Sequence, residues 1–182
     1  MKKLVLASML CASALFAADT QLFNPKSVKE HIVIKMQILG EKGKNKAAGE
    51  VVAVETPYGV AFFPDLKLDA ENAGVHGFHI HEKADCGYTK DGLGLKAGGH
   101  YDPDKTAKHS FAWDNAGHKG DLPALYVNKD GTVTYPVLAP KIKKISELKK
   151  KSLMVHVGGD NHHDHPAVLG GGGARMVCGV IK

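Results

Sequence analysis

Short segments in which apolar and polar residues alternate recur along most of this chain, and this pattern constrains its fold more than any other feature. In His31–Leu39, Ile32, Ile34 and Met36 fall on one face, and polar residues such as Lys35 fall on the other. Such alternation predicts a half-buried β-strand. Further strands are predicted at 49–56, 58–63, 64–70, 74–81, 124–128, 132–137, 152–158 and 174–181. The one helix-like stretch, 145–151, is a turn or two long, so we expect an all-β sandwich or barrel.

Two local features qualify this pattern. Asp130-Gly131, between two predicted strands, is typical of a hairpin turn. Residues 82–123, in contrast, have little strand character and are rich in Gly, Asp, His and Lys. A loop of that length inside a compact domain is uncommon unless it is functional. The whole chain has 11 His and 21 Gly, which favours metal ligands carried on turns and loops, and we expect metal ions and a disulfide to hold this span.

The first 18 residues predict a secretory signal peptide. Lys2 and Lys3 form a charged start, an uncharged apolar run covers residues 4–16, and small residues follow at Ala17 and Ala18. We expect cleavage between Ala17 and Asp19, a flexible lead-in over residues 19–29 and one domain over residues 30–182. The apolar run is too short to span a bilayer comfortably, so we expect no membrane attachment after the signal is removed.

The cysteines fit an exported protein. Cys11 lies in the signal segment, and because Leu10 before it is not small, a lipid anchor there is the less favoured interpretation. Removal of the signal leaves Cys86 and Cys178, and an oxidising compartment favours one disulfide over two buried free thiols. Such a bridge would stabilise the fold by about 4 kcal/mol in the chain-entropy account. The net charge falls from +5 to +3 because two lysines and no acid are lost.

His79 and His81 begin a candidate metal centre. They are two residues apart on a predicted strand, so both imidazoles project from one face while Phe78 and Ile80 point into the core. This pair alone is a weak signal, but the loop that follows and a later strand add more ligands. Imidazole suits zinc and copper, and a carboxylate adds a hard anionic ligand. The set suits two metals better than one: His79, His81, His100, His109, His118, Asp121 and His156.

Five stretches around these residues resemble the copper/zinc superoxide dismutases, in particular the exported bacterial kind. They are Gly77-Phe-His-Ile-His-Glu82, Gly98-Gly-His-Tyr-Asp-Pro103, Gly117-His-Lys-Gly-Asp-Leu-Pro123, Met154-Val-His-Val-Gly-Gly-Asp-Asn161 and Gly170-Gly-Gly-Gly-Ala-Arg-Met-Val-Cys-Gly-Val-Ile181. Their order and spacing match the family over residues 30–182.

The resemblance implies a fold, an activity and a role for each motif residue. The fold would be a Greek-key β-sandwich or flattened barrel of about eight strands with long metal-binding and electrostatic loops. The activity would be antioxidant defence in the periplasm, with a redox-cycling copper that dismutates superoxide to oxygen and hydrogen peroxide. Copper ligands would be His79, His81, His100 and His156, and zinc ligands His100, His109, His118 and Asp121.

The remaining motif residues would support that chemistry. His100 would bridge the two metals and take part in catalysis, and Arg175 would dock the anion beside the copper. Asp160 would accept hydrogen bonds from one copper ligand and one zinc ligand and so link them. Cys86 and Cys178 would form the disulfide. Candidates for steering superoxide are the lysines Lys83, Lys90, Lys96 and Lys119.

Several features have two interpretations. His162, His163 and His165 are expected on a loop at the channel rim, with an auxiliary metal site as the alternative. Trp113 is a candidate homodimer contact, with local loop packing as the alternative. The six lysines in 141–151 predict a solvated loop and no nucleic-acid partner, because no aromatic residues interleave. A non-catalytic metal carrier and a plain immunoglobulin-like domain are the competing functional classes.

Overall fold

The computed structural model describes residues 23–182, and the fold is all-β as predicted. The strands are β1 His31–Ile38, β2 Lys46–Thr56, β3 Gly59–Lys67, β4 Gly74–His76, β5 Phe78–His81, β6 Leu125–Val127, β7 Thr132–Val133, β8 Val137–Ala139, β9 Lys151–His156 and β10 Arg175–Ile181. Helical structure in this part of the chain is confined to 3-10 turns at Pro25–Ser27, Glu41–Gly43, Ala70–Asn72, Leu95–Ala97, Ile145–Leu148 and Val168–Gly171.

One antiparallel sheet with the strand order β5-β9-β10-β1-β2-β3-β7 dominates the molecule, with β8 also paired to β3. Phe62 on β3 and Phe78 on β5 belong to strands five places apart in this order, yet their rings meet at 5.8 Å between centroids. Neighbouring strands are about 4.8 Å apart, so a flat sheet would hold these rings far apart. The sheet therefore curls around one core, in agreement with the predicted flattened barrel.

The alternating pattern of β1 explains how this core forms. Ile34 and Met36 are buried, while Val33, Lys35 and Gln37 are exposed. The other strands of the curled sheet add apolar side chains to the same interior. The largest of them are Phe62, Phe78, Ile80, Leu153 and Ile181.

The predicted strands at 58–63 and 64–70 form one strand, β3, and the separation between them was wrong. Pro64 pairs with Val51 of β2, although proline has no N–H to donate to a ladder. On the other side of β3, β8 pairs with residues 60–62 and β7 pairs with residues 66–67. Pro64 falls between these two partners, where no neighbouring strand needs its missing donor.

The predicted strand at 74–81 is divided at Gly77. Residues before it pair with β6 in a small two-stranded sheet, and residues after it pair with β9 in the main sheet. Gly77 N donates to Gly158 O at 2.9 Å, and His156 N donates to Gly77 O at 2.8 Å. The switch between sheets thus fixes the start of the strand that carries His79 and His81.

The predicted hairpin at Asp130-Gly131 is a turn, but not a hairpin between paired strands. Gly131 has φ +85° and its N–H donates to Asn128 O at 2.8 Å. The strand before the turn pairs with β4, whereas the strand after it pairs with β3. The predicted strand at 132–137 is likewise divided, into β7 and β8.

Residues 82–123 contain no named strand, as predicted, and a disulfide joins Cys86 in this loop to Cys178 on β10. The predicted signal peptide, 1–18, and the first residues of the lead-in lie outside the described residues. Phe23 in the remaining lead-in packs on Phe63 at 5.1 Å between ring centroids. In the described part of the chain, no helix has the length and apolar character that crossing a membrane requires.

Candidate metal centre

Three adjacent strands place the first candidate ligands. His79 and His81 lie on β5, which pairs with β9, and His156 ends β9. Across the next pair, His156 is the partner of Arg175 at the start of β10. Short strands with fixed register therefore bring the three histidines and Arg175 to one end of the sheet.

The long loop supplies the other ligands and returns twice to β5. Isolated bridges pair His81 with His100 and His79 with Asp121. Backbone hydrogen bonds from Tyr101 N to Ile80 O and from Ile80 N to Gly120 O hold these two parts of the loop against the strand, at 2.8 and 2.9 Å. A span without strands of its own is thus ordered by attachment to a buried strand.

The imidazoles of the first set present lone pairs to one another. Nδ1 of His81 donates to Gly98 O at 2.9 Å, and Nδ1 of His156 donates to Gly173 O at 3.0 Å. A carbonyl oxygen only accepts, so the Nε2 atoms of these neutral rings carry lone pairs, and they lie 3.3 Å apart. His79 Nε2 donates to Asp160, and its buried Nδ1 has no hydrogen-bond partner among the described residues.

Facing lone pairs and a buried nitrogen without a partner are unfavourable unless a cation lies between them. One nitrogen from each of His79, His81, His100 and His156 lies within 4.8 Å of the others. Four imidazoles form a donor set that copper accepts readily. The residues of the first set therefore fit a copper ion.

The second set converges on a single carboxylate oxygen. Oδ1 of Asp121 lies 2.9 Å from His100 Nδ1, 3.0 Å from His109 Nδ1 and 3.3 Å from His118 Nδ1. Asp121 Oδ2 accepts from Ser110 N at 3.0 Å, which fixes the carboxylate. All four side chains are buried, and three imidazoles with one carboxylate fit a closed tetrahedral zinc site.

Asp160 joins the two sets. Its Oδ2 accepts from His79 Nε2 at 2.7 Å, and its Oδ1 accepts from His109 Nε2 at 2.8 Å. The carboxylate is fully buried. A carboxylate in this position fixes the orientation of both rings and the nitrogen that each ring offers to a metal.

The histidines of the first set are held in the neutral form. Burial is the main cause that lowers the pKa values of His79, His81 and His100, and it lowers the pKa of His156 to about 4. Charge on one of these rings is further opposed by its neighbours. At pH 7 the first set therefore presents unprotonated nitrogens, the form that binds a metal.

His109 behaves differently because two carboxylates contact it. Burial lowers its pKa, but hydrogen bonds to Asp121 and Asp160 outweigh burial and raise the pKa to about 9. Burial also raises the pKa values of Asp121 and Asp160, and their hydrogen bonds with histidines outweigh this and hold both well below the usual range. Without a metal, this part of the centre is a compact ion cluster.

A pocket of about 450 Å³ opens over His81, His100, His156 and Arg175. Apolar side chains also line it, among them Leu95 and Leu169. The pocket gives a small solute a route to the first set of ligands.

Arg175 is half-buried in this pocket and is held by the loop. Its two terminal nitrogens donate to the carbonyl oxygens of Gly94, at 2.6 Å, and Gly98. The Cys86–Cys178 disulfide ties the same loop to β10 three residues beyond Arg175. The predicted disulfide is therefore confirmed. Together with the two hydrogen bonds, it fixes the guanidinium beside the candidate copper ligands.

Three further contacts have no signal in the sequence. The buried ring of His76 places Nδ1 2.8 Å from His156 O and Nε2 2.7 Å from Asn72 O. Asp164 accepts from His109 N at 3.0 Å and from Leu169 N at 3.2 Å. Lys141, expected to be one solvated lysine among six, donates to three carbonyl oxygens of the loop. All the partners named here are backbone atoms, which leave no residue pattern to detect.

The second histidine cluster lies outside both candidate sets. His163 and His165 are exposed, as expected for a rim loop, with ring centroids 5.6 Å apart. His162 is half-buried against Phe111, at 5.0 Å between ring centroids. Trp113 stacks on Phe111 at 4.8 Å and is 66% exposed.

Comparison with known proteins identifies relatives of this chain. The family model for copper/zinc superoxide dismutase matches residues 47–181. A superoxide dismutase [Cu-Zn] from Pasteurella multocida is 48% identical, with all of both chains covered, and one from Haemophilus ducreyi is 55% identical over 84% of this chain and 78% of its own length.

Solved structures give the same result. The Cu/Zn superoxide dismutase from Brucella abortus superposes with a TM-score of 0.80 at 46% identity, over 84% of this chain and all of that one. The monomeric copper, zinc superoxide dismutase from Salmonella enterica superposes with a TM-score of 0.72 at 47% identity, over 84% of this chain and 99% of that one. With most of its length matched in sequence and in structure, this chain belongs to the copper/zinc superoxide dismutase family.

Proposed function

We propose that this protein dismutates superoxide: two superoxide anions and two protons give one oxygen and one hydrogen peroxide. The observation that carries this proposal is the position of His100, which belongs to both candidate ligand sets, under a pocket that also contains Arg175. A metal site for structure alone needs neither a shared imidazole nor a cation beside an open pocket.

The ligand assignment follows from the nitrogens that each ring offers. Copper would be held by His79 Nδ1, by Nε2 of His81 and His156, and by the nitrogen of His100 that does not face Asp121. Zinc would be held by the Nδ1 atoms of His100, His109 and His118 and by Asp121. Copper supplies the one-electron oxidation of one superoxide and the one-electron reduction of the next, whereas zinc has no redox chemistry.

Arg175 would bind the substrate anion. Two of its N–H groups are used by loop carbonyls, and a guanidinium has five. Burial lowers its pKa, but arginine remains charged in proteins. The guanidinium therefore offers a fixed positive charge and free donors beside the copper ligands.

His100 would move one of the two protons. Its Nδ1 faces Asp121, so Nε2 is the nitrogen on the side of the pocket. While this nitrogen does not hold copper it would carry a proton, which would pass to the second superoxide as that anion is reduced, and water would supply the other proton.

Residues 1–18 would direct export, and residues 30–182 would form the enzyme domain in the periplasm. The Cys86–Cys178 disulfide supports an oxidising compartment. Cell fractionation and N-terminal sequencing of the mature protein test this assignment. A protein recovered from the cytoplasm with Met1 intact would contradict it.

We also propose a homodimer in which Trp113 and Phe111 contact a second copy, because this stacked aromatic pair is exposed. The Salmonella enterica relative is described as monomeric, so self-association has to be measured for this chain. Sedimentation of the wild type and of Trp113→Ala should give a dimer that the substitution dissociates. A monomeric wild type would contradict this part of the proposal.

Substitution of His100 tests the function. His100→Ala should lose most superoxide dismutation and lower both copper and zinc content, because both sets lose a ligand. His163→Ala, an exposed histidine outside both sets, is the matched control and should keep metals and activity. Retention of both metals and of activity in His100→Ala would contradict the shared site, and stoichiometric copper without dismutation in the wild type would favour a metal carrier.

A further inference from the structure

Between the candidate zinc ligands His109 and Asp121, the loop forms three consecutive turns. Phe111 O accepts from Asp114 N at 3.0 Å, and Asp114 O accepts from Gly117 N at 3.2 Å. His118 O then accepts from Asp121 N at 3.2 Å. The first carbonyl of each turn thus has one lone pair in use and one remaining.

A single side chain takes up all three remaining lone pairs. Lys141, which follows β8, places Nζ 3.3 Å from Phe111 O, 3.2 Å from Asp114 O and 2.5 Å from His118 O. An ammonium group has three N–H donors, so this arrangement uses each of them once. A neutral amine would have one donor too few.

Burial alone does not hold this segment in place. Phe111 and Trp113 are exposed, and within residues 111–116 only Ala112 is buried. The neighbouring lysines do not share the role of Lys141, since Lys144 pairs with Glu55 and Lys151 lies over the Tyr101 ring. The ammonium of Lys141 contacts one carbonyl oxygen in each of the three turns.

We propose that Lys141 is a positioning residue for the zinc site, and that its ammonium sets the spacing of His109, His118 and Asp121 before zinc binds. The inference rests on the proposed assignment of these residues to zinc. Lys141 does not contact the metal, so it acts through the loop backbone.

Zinc affinity is the direct test. We expect Lys141→Met, which keeps the chain length and removes the charge, to weaken zinc binding about tenfold, as loss of an outer contact to a metal site typically does. The holoenzyme would be titrated with a chelator of known zinc affinity while bound zinc is measured. Lys143→Met is the matched control, because Lys143 is exposed and two residues away, and it should keep the wild-type affinity.

Cobalt in place of zinc separates positioning from a general loss of stability. In Lys141→Met the visible absorption of cobalt should differ from the wild type, since the ligand spacing has relaxed. Equal zinc affinity and an equal cobalt spectrum in Lys141→Met and wild type would overturn the inference. A wild type that binds no zinc would overturn the proposed function instead.

If Lys141→Met does not fold, amide hydrogen exchange on the wild-type protein tests the inference instead. In the wild-type protein after zinc removal, we expect the amides of Asp114, Gly117 and Asp121 to remain protected, because Lys141 still holds their acceptors. Exchange of these amides at the rate of an unstructured chain, with protection only after zinc is returned, would overturn the inference.

Discussion

At the scale of single residues, the proposed docking of superoxide depends most on the fixed position of Arg175. Backbone carbonyls of Gly94 and Gly98 hold its terminal nitrogens, so the guanidinium is placed before substrate arrives. A small anion with little contact area depends strongly on such a preformed charge, and steering by charge raises association rates by about 10- to 1,000-fold.

Arg175→Ala should therefore slow superoxide decay by about tenfold or more and flatten its dependence on ionic strength. Arg175→Lys, the matched variant, should retain the salt dependence because the charge remains, and lose part of the rate because the planar fork is absent. Copper and zinc content should be unchanged in both. A wild-type rate and salt response in Arg175→Ala would exclude the docking role.

The sequence predicted individual side chains only where they belong to recognisable motifs. The resemblance pointed to Asp160, and the structure shows it between His79 and His109. Lys141 was predicted to be solvated because it lies in a lysine-rich stretch, and its partners are backbone carbonyls that have no residue identity to detect.

Among the structural elements, the loop of residues 82–123 depends on attachments to strands. The disulfide to Cys178 is one of them, and it also lies close to the carbonyls that hold Arg175. Removing it should affect both stability and substrate docking.

A Cys86→Ser/Cys178→Ser double variant should lose about 4 to 5 kcal/mol of unfolding free energy in the chain-entropy account, since the cysteines are 92 residues apart. Its superoxide decay should also become slower at equal copper content, because Gly94 and Gly98 no longer hold Arg175 firmly. Urea unfolding and stopped-flow assays measure the two effects. Unchanged stability and rate would show that the loop is held without the disulfide.

At this scale the sequence predicted most strands but not their limits. Alternation identified β1 because one face is buried and the other is exposed. The alternating pattern placed a strand boundary near Pro64, where β3 continues, and none at Gly77, where the chain passes from the small sheet to the main sheet. Both features depend on pairing with strands that are distant in the sequence.

For the whole molecule, the buried charges determine how stability depends on pH. Burial lowers the pKa of His156 from about 6.5 in the unfolded chain to about 4 in the folded protein, so the unfolded state binds more protons between these values. Stability therefore falls as pH drops from about 6.5 to 4, by on the order of 3 kcal/mol from this group. His109, with its pKa raised to about 9, contributes stability that is lost as pH rises from about 6.5 to 9.

The metal-free protein should accordingly be most stable near pH 6.5. Urea unfolding at pH 4.5, 6.5 and 8.5 measures this, and a steady rise in stability up to pH 8.5 would contradict the ion cluster around His109. Bound metals should remove the loss above pH 6.5, because His109 would then be held unprotonated, and steepen the loss below it, because protons compete with metals for the same nitrogens.

The global arrangement was less accessible from the sequence than the fold class. Alternating segments predict β-structure, but the pairing of the first strand with the last and the contact between Phe62 and Phe78 depend on how the whole sheet curls. The family resemblance implied the flattened barrel, which the alternating pattern alone does not specify.

Stopped-flow measurement of superoxide decay, on the protein loaded with one copper and one zinc, is the direct test of the dismutase activity. We expect a decay rate proportional to the concentration of copper-loaded protein, with a rate constant that approaches the diffusional ceiling of about 10⁸–10⁹ M⁻¹s⁻¹ and falls at high salt. Decay no faster than in buffer, with both metals bound in full, would contradict it.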